Sequence, residues 1–235
     1  MKRVLFIGPS LHGSAAALPP EIALRPPAAK GDILAAALDG ADIIGLVDGT
    51  FDHGAAVWHK EILFALDRGV AVLGAASMGA LRAAECAAFG MIGIGAIYDD
   101  YVAGRRVSDA DVALVHGPAE LGFPPLTDAL VDIEATLDRL LADGHIGHGD
   151  RTRLGATAGA LHFKERRWDR LCAPEELARL RPHFVNRKQQ DALLLVKAMM
   201  RPLDAPRRPI PGGLCDTQFF DMLRREVRNR APTAP

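Results

Sequence analysis

Apolar residues in this chain first fall into short runs closed by glycine or proline, and later into stretches repeating every three to four positions. Residues 4–7 form a run of strand length ending at Gly8-Pro9, and residues 42–47 form a second ending at Asp48-Gly49. Residues 70–73 read as a third strand. Helical periodicity lies between and after them, over residues 33–38, 55–68 and 78–89, the last two stopping before Gly69 and Gly90. Strand alternating with helix in this way predicts an α/β fold, a parallel sheet with right-handed crossovers.

Residues 91–125 are glycine-rich and read as loops, with one further strand over 112–115. Beyond them the pattern turns helical. Leu126, Leu130, Ile133, Leu137, Leu140 and Leu141 share one helical face, and helices follow over 151–163, 174–180 and 188–200. Residues 205–214 read as an extended segment and 231–235 as a loose tail. The expected organisation is an α/β core over residues 1–125 and a mainly helical region over 126–235 packed on it.

At 235 residues with 49% hydrophobic and 24% charged positions, the chain has the composition of a folded protein rather than a disordered one. Its least interrupted apolar stretch, residues 70–81, is well short of the roughly 18 residues of a membrane span. The apolar run at the N-terminus is too short for a signal peptide, so a cytoplasmic location is expected. Cys86, Cys172 and Cys215 are scattered, and His53, His59 and His116 lack ligand spacing, which predicts no metal site. The charge is uneven: residues 1–150 carry 10 basic and 20 acidic groups, residues 151–235 carry 18 and 9, giving −10 and +9. Such halves either lie against each other or meet different partners. The basic half has no zinc spacing, helix-turn-helix glycine pattern or aromatic-basic interleaving, so a nucleic-acid partner is not expected.

Candidate chemistry centres on V-A-V-L-G-A-A-S-M-G-A-L-R-A-A, where a buried strand runs through small residues into Ser77 and a helix. A serine at a strand-to-helix turn is placed as a nucleophile elbow places one, although Ala75 stands where that motif has glycine. Ser77 reads equally as an ordinary N-cap. Lys60 lies in a helix whose Val57, Trp58, Ile62, Leu63, Phe64 and Leu66 cover nearly its whole circumference. A lysine there is either desolvated toward the neutral amine, a usable general base, or extended outward into water. A serine served by a neutral lysine needs only hydrogen-bond reach. His59 and Glu61 can orient such a pair, while Glu61 also reads as a solvated helix carboxylate. Ser10 and Asp48 follow the first two strands and read as turn residues or as ligand contacts, since α/β sheets bind ligands beyond the carboxyl ends of their strands. The loop G-P-S-L-H-G has no nucleotide-binding spacing, and no cofactor is expected.

The runs D-G-T-F-D-H-G-A-A-V-W-H-K-E-I-L-F-A-L, G-A-A-S-M-G-A-L-R-A-A-E and F-G-M-I-G-I-G-A-I-Y-D-D-Y-V-A-G, with the opening F-I-G-P-S-L, resemble the core of TfuA-like proteins over residues 4–120. The resemblance implies a partner of YcaO-type ATP-dependent enzymes in peptide-backbone thioamidation. It implies a hydrolase that frees sulfide from the C-terminal thiocarboxylate of a ThiS-like sulfur carrier and helps its partner bind peptide substrate. The family's serine-lysine pair carries over to Ser77 and Lys60. On that mechanism amides near Met78 and in the first strand's loop hold the oxyanion, and Arg82 counters the thiocarboxylate charge unless it simply pairs with Glu85. Tyr98 and Tyr101 become candidates for an exposed protein interface. The competing reading is a non-catalytic adaptor that docks on the YcaO enzyme and recruits carrier or peptide.

Overall fold

A computed structural model describes residues 1–14, 18–51, 54–202 and 217–229. Cys215, His53 and the segments 205–214 and 231–235 lie outside them. Five parallel strands form one sheet in the order β2-β1-β3-β4-β5: β1 Arg3–Phe6, β2 Ile22–Arg25, β3 Ile43–Leu46, β4 Ala71–Ala75 and β5 Ile92–Ile94. The expected α/β class is therefore correct, with helices dominating the second half.

Side-chain alternation divides the sheet into two buried faces. Val4, Phe6, Ile44, Leu46 and Val72 point to one, where α1 (Asp32–Leu38), α2 (His59–Asp67) and α3 (Met78–Cys86) cover them as crossover helices. Leu5, Ile43, Leu73 and Ala75 point to the other. That face is covered by α8 (Arg187–Met199), which presses Ala192, Leu195, Val196 and Met199 onto it. Gly45 of β3 makes this close fit possible, because a Cβ there would stand 2.5 Å from Met199 Sδ and 2.9 Å from Leu195. A third apolar cluster joins α5 (Leu130–Ala142), α6 (His148–Ala160) and α7 (Pro174–Leu180) with Trp168 and Leu171.

The expected loops over residues 91–125 are corrected. β5 and α4 (Ala96–Val102) lie there, and residues 112–115 form no strand. Glycines hid β5: at Gly93 a Cβ would stand 2.0 Å from the Tyr98 ring, so close packing of α4 replaces the β-branched signal. Val115 instead braces the entry to α5, its N–H donating to Thr127 Oγ1 and its carbonyl accepting from Leu126 N, each at 2.8 Å. β2 is an edge strand with only Ile22 buried, too little apolar surface to read. The second crossover helix starts at His59 rather than residue 55, because Trp58 is extended and its N–H is held by Glu61. A last helix, α9 (Gln218–Asn229), was not anticipated; Phe220, Leu223 and Val227 seat it on the α1 and α2 side.

Candidate active site

The chain leaves the sheet's carboxyl edge in opposite directions after β1 and β3, which makes the gap between them the topological switch point. Here Asp48, directly after β3, accepts the N–H groups of Gly8 (2.9 Å) and Ser10 (3.0 Å) on Oδ2 and the Ser10 hydroxyl (2.7 Å) on Oδ1. Both side chains are buried. The two loops are thus clasped together, and the Gly8 and Ser10 amides are occupied. The expectation that the first strand's loop supplies oxyanion donors is corrected at these two amides.

The neighbouring turn after β4 is strained. Ala76 has φ +65°, and the Ser77 N–H donates back to the Ala75 carbonyl at 2.8 Å, closing a three-residue γ-turn. A non-glycine residue at positive φ in such a turn is uncommon and costs energy. Ser77 follows at φ −115°, ψ −127°, only 2% exposed, and its side chain makes no cap hydrogen bond to α3. Ser77 thus occupies the N-cap position of α3 without its hydroxyl capping the helix. Met78 opens α3 and is buried, and its N–H has no backbone acceptor among the described residues. The turn is held against β3 by the Gly79 N–H, which donates to Val47 O at 3.1 Å.

Lys60 lies in the first turn of α2, half-buried, and its Nζ donates to Thr217 Oγ1 just before α9 at 3.0 Å. It shares a groove of about 350 Å³ with Ala56, Val57, Trp58, His59 and Arg82. Arg82 both pairs with Glu85 at 2.6 Å and donates through Nε to Val57 O at 3.0 Å, tying α3 to the start of α2. His59 reaches the same Glu85 at 2.8 Å. The groove therefore carries basic groups from two helices.

Glu61 is not a solvated carboxylate. It is fully buried and accepts from Gly31 N (2.8 Å), Leu34 N (3.4 Å) and Trp58 N (3.0 Å), capping α1 and α2 together. Burial pushes its carboxyl above the ordinary range. Tyr101 is likewise not an exposed aromatic: it is buried and its hydroxyl donates to Ser108 O at 2.8 Å, while Tyr98 is partly buried against α3 and β5 neighbours. Cys86 is buried, and its thiol is pushed up to about 12 by burial. Among the described residues no cluster of His, Cys, Asp and Glu is placed to hold a metal.

Sequence reasoning missed Lys188 and Asp132. Lys188 is buried in the first turn of α8, on the face that also carries Ala192, Leu195, Val196 and Met199, so helical periodicity held the signal. Asp132 Oδ1 accepts the Lys188 backbone N–H at 2.9 Å, and burial raises the Asp132 carboxyl to about 6. Its ordinary value is 3.8, so between these values the folded protein binds a proton that the unfolded chain does not. Stability from this group is then full at and below about pH 4, falls as pH rises from about 4 to 6 and is lost above that, by about 3 kcal/mol in all at 1.36 kcal/mol per unit. Urea titrations between pH 4 and 7 are expected to show that slope in the native chain and a flatter one in Asp132→Asn.

A parallel α/β sheet, a clasped switch point and a strained turn leading into a buried serine on the same edge define an α/β protein with a serine at a strand-to-helix turn. A search of curated proteins found no match. The model of the TfuA-like protein family matches residues 48–167, slightly more than half of the 235-residue chain. The chain belongs to that family.

Proposed function

We propose that the protein hydrolyses the C-terminal thiocarboxylate of a ThiS-like sulfur carrier and delivers sulfide to a YcaO-type ATP-dependent enzyme that thioamidates a peptide backbone. The observation that carries this reading is the strained turn at Ala76, which sets Ser77 at the carboxyl edge with its hydroxyl uncommitted to capping. In the proposed reaction Lys60 leaves Thr217 and takes the Ser77 proton as Ser77 Oγ attacks the thiocarboxylate carbon. The Met78 N–H serves the oxyanion, and Arg82 faces the anionic tail in the groove. The proton passes from Lys60 to sulfur, hydrosulfide leaves, and an ester remains on Ser77. Water cleaves the ester, one of its protons restoring the Ser77 hydroxyl and the other passing to solvent as the carrier carboxylate leaves.

The groove beside α2 and α3 supports an anionic chain end as the substrate, since Lys60, His59 and Arg82 line it. No described helix is long and apolar enough to cross a membrane. Purified chain and carrier thiocarboxylate are expected to release sulfide, and Ser77→Ala to lower the rate to the uncatalysed background. Release by Ser77→Ala at the native rate would leave the non-catalytic adaptor as the better account.

A further inference from the structure

A cavity of about 220 Å³ adjoins the switch point, on the side of the sheet away from the Lys60 groove. Pro9 and Ser10 bound it from the loop after β1, the start of α5 supplies Asp128 and Asp132, and the start of α8 supplies Lys188. Lys188 is 2% exposed, and its Nζ donates to Val112 O at 2.8 Å. Among the described residues that amine has no other hydrogen bond and no contact ion pair; Asp48 and Asp132 act on it only through space. An ammonium carries three donors, and a buried one is costly unless they are met. Two remain for whatever occupies the cavity.

The opposite charge is unpaired in the same sense. Asp128 accepts the Trp168 N–H at 3.2 Å and Asp132 the Lys188 N–H at 2.9 Å, yet neither forms a contact ion pair among the described residues. The rest of the lining mixes apolar and polar groups, Trp168 stacked on Phe184 at 4.4 Å with Leu114 and Pro125 on the one hand, Thr127, Thr136 and Asn186 on the other. A singly charged ligand would satisfy one side and leave the other desolvated. At roughly 30 Å³ per water the space equals about seven waters, room for a molecule of amino-acid size rather than a peptide.

We propose that this cavity binds a free α-amino acid with an apolar side chain, its carboxylate on Lys188, its ammonium between Asp128 and Asp132, and its side chain against Trp168 and Phe184. The inference is independent of the chemistry assigned to Ser77. Titration calorimetry of the full chain with L-leucine, 4-methylpentanoate (leucine without the amine) and isoamylamine (leucine without the carboxylate) tests it. Leucine is expected to bind saturably, and each analogue at least about tenfold more weakly, one pairing energy being worth about that factor. Lys188→Met, in which an apolar side chain replaces the buried charge, is expected to reduce leucine to the level of isoamylamine and leave isoamylamine unchanged. Ser77→Ala is expected to bind leucine as the native chain does, whatever its effect on sulfide release. Absence of leucine binding, or analogues that bind as tightly as leucine to the native chain, would overturn the proposal without recourse to any variant.

Discussion

Gly79→Ala is expected to prevent stable folding, with a loss of about 4 kcal/mol or more. Gly79 lies in the first turn of α3 where the helix crosses β3, and a Cβ there would stand 1.8 Å from Leu46 O and 2.6 Å from Leu46 C. These are backbone atoms of a central strand, so no side chain can swing aside. Gly74 of β4 repeats the constraint from the other side, its would-be Cβ lying 2.1 Å from Gly79 O. Separating helix from strand would also break the Gly79 to Val47 hydrogen bond that positions the Ser77 turn. Gly159→Ala is the matched control: it lies inside α6 with nothing within 4 Å of a Cβ, and alanine there should stabilise by about 0.5–1 kcal/mol. Urea unfolding of both variants decides the matter; a Gly79→Ala protein with the native midpoint would show that α3 does not rest on β3 as described.

Glu61→Ala is expected to cost about 4 kcal/mol, because two buried N–H groups and a part-buried one lose their acceptor and each unmet one costs roughly 1–3 kcal/mol. Glu61→Gln keeps one acceptor oxygen and should cost about half as much. The ordering separates capping from charge. If the carboxylate mattered only as a charge, glutamine and alanine would destabilise equally. Loss of this single side chain should also loosen the start of α2, where Lys60 sits, so any sulfide release is expected to fall with stability in Glu61→Ala.

The central strands were legible because β1, β3 and β4 are short apolar runs, buried on both faces and closed by turn residues. The edges were not: β2 buries one residue, and β5 depends on glycines that carry no pattern. α9 escaped notice because its apolar residues are spaced among arginines and acids. At the edge of the sheet, the position of Ser77 followed from the order of strand and helix, but the positive φ of Ala76 has no counterpart in residue type. Glu61 was misread because its partner Gly31 lies 30 positions away, a distance over which no periodicity speaks. Lys188 was the reverse case, a visible lysine on an apolar stripe whose burial periodicity alone implied.

The family-matching stretch, residues 48–167, contains β4 and β5 but not β1, β2, β3 or α8. Excised at those limits it would be a two-strand ribbon with an open flank and a bare apolar side, a poor unit for independent expression. What the family model covers is therefore the edge that carries Ser77 and its supporting helices, completed by chain that the comparison leaves unmatched. Any transplant of this edge into another scaffold would have to bring a substitute for those missing walls.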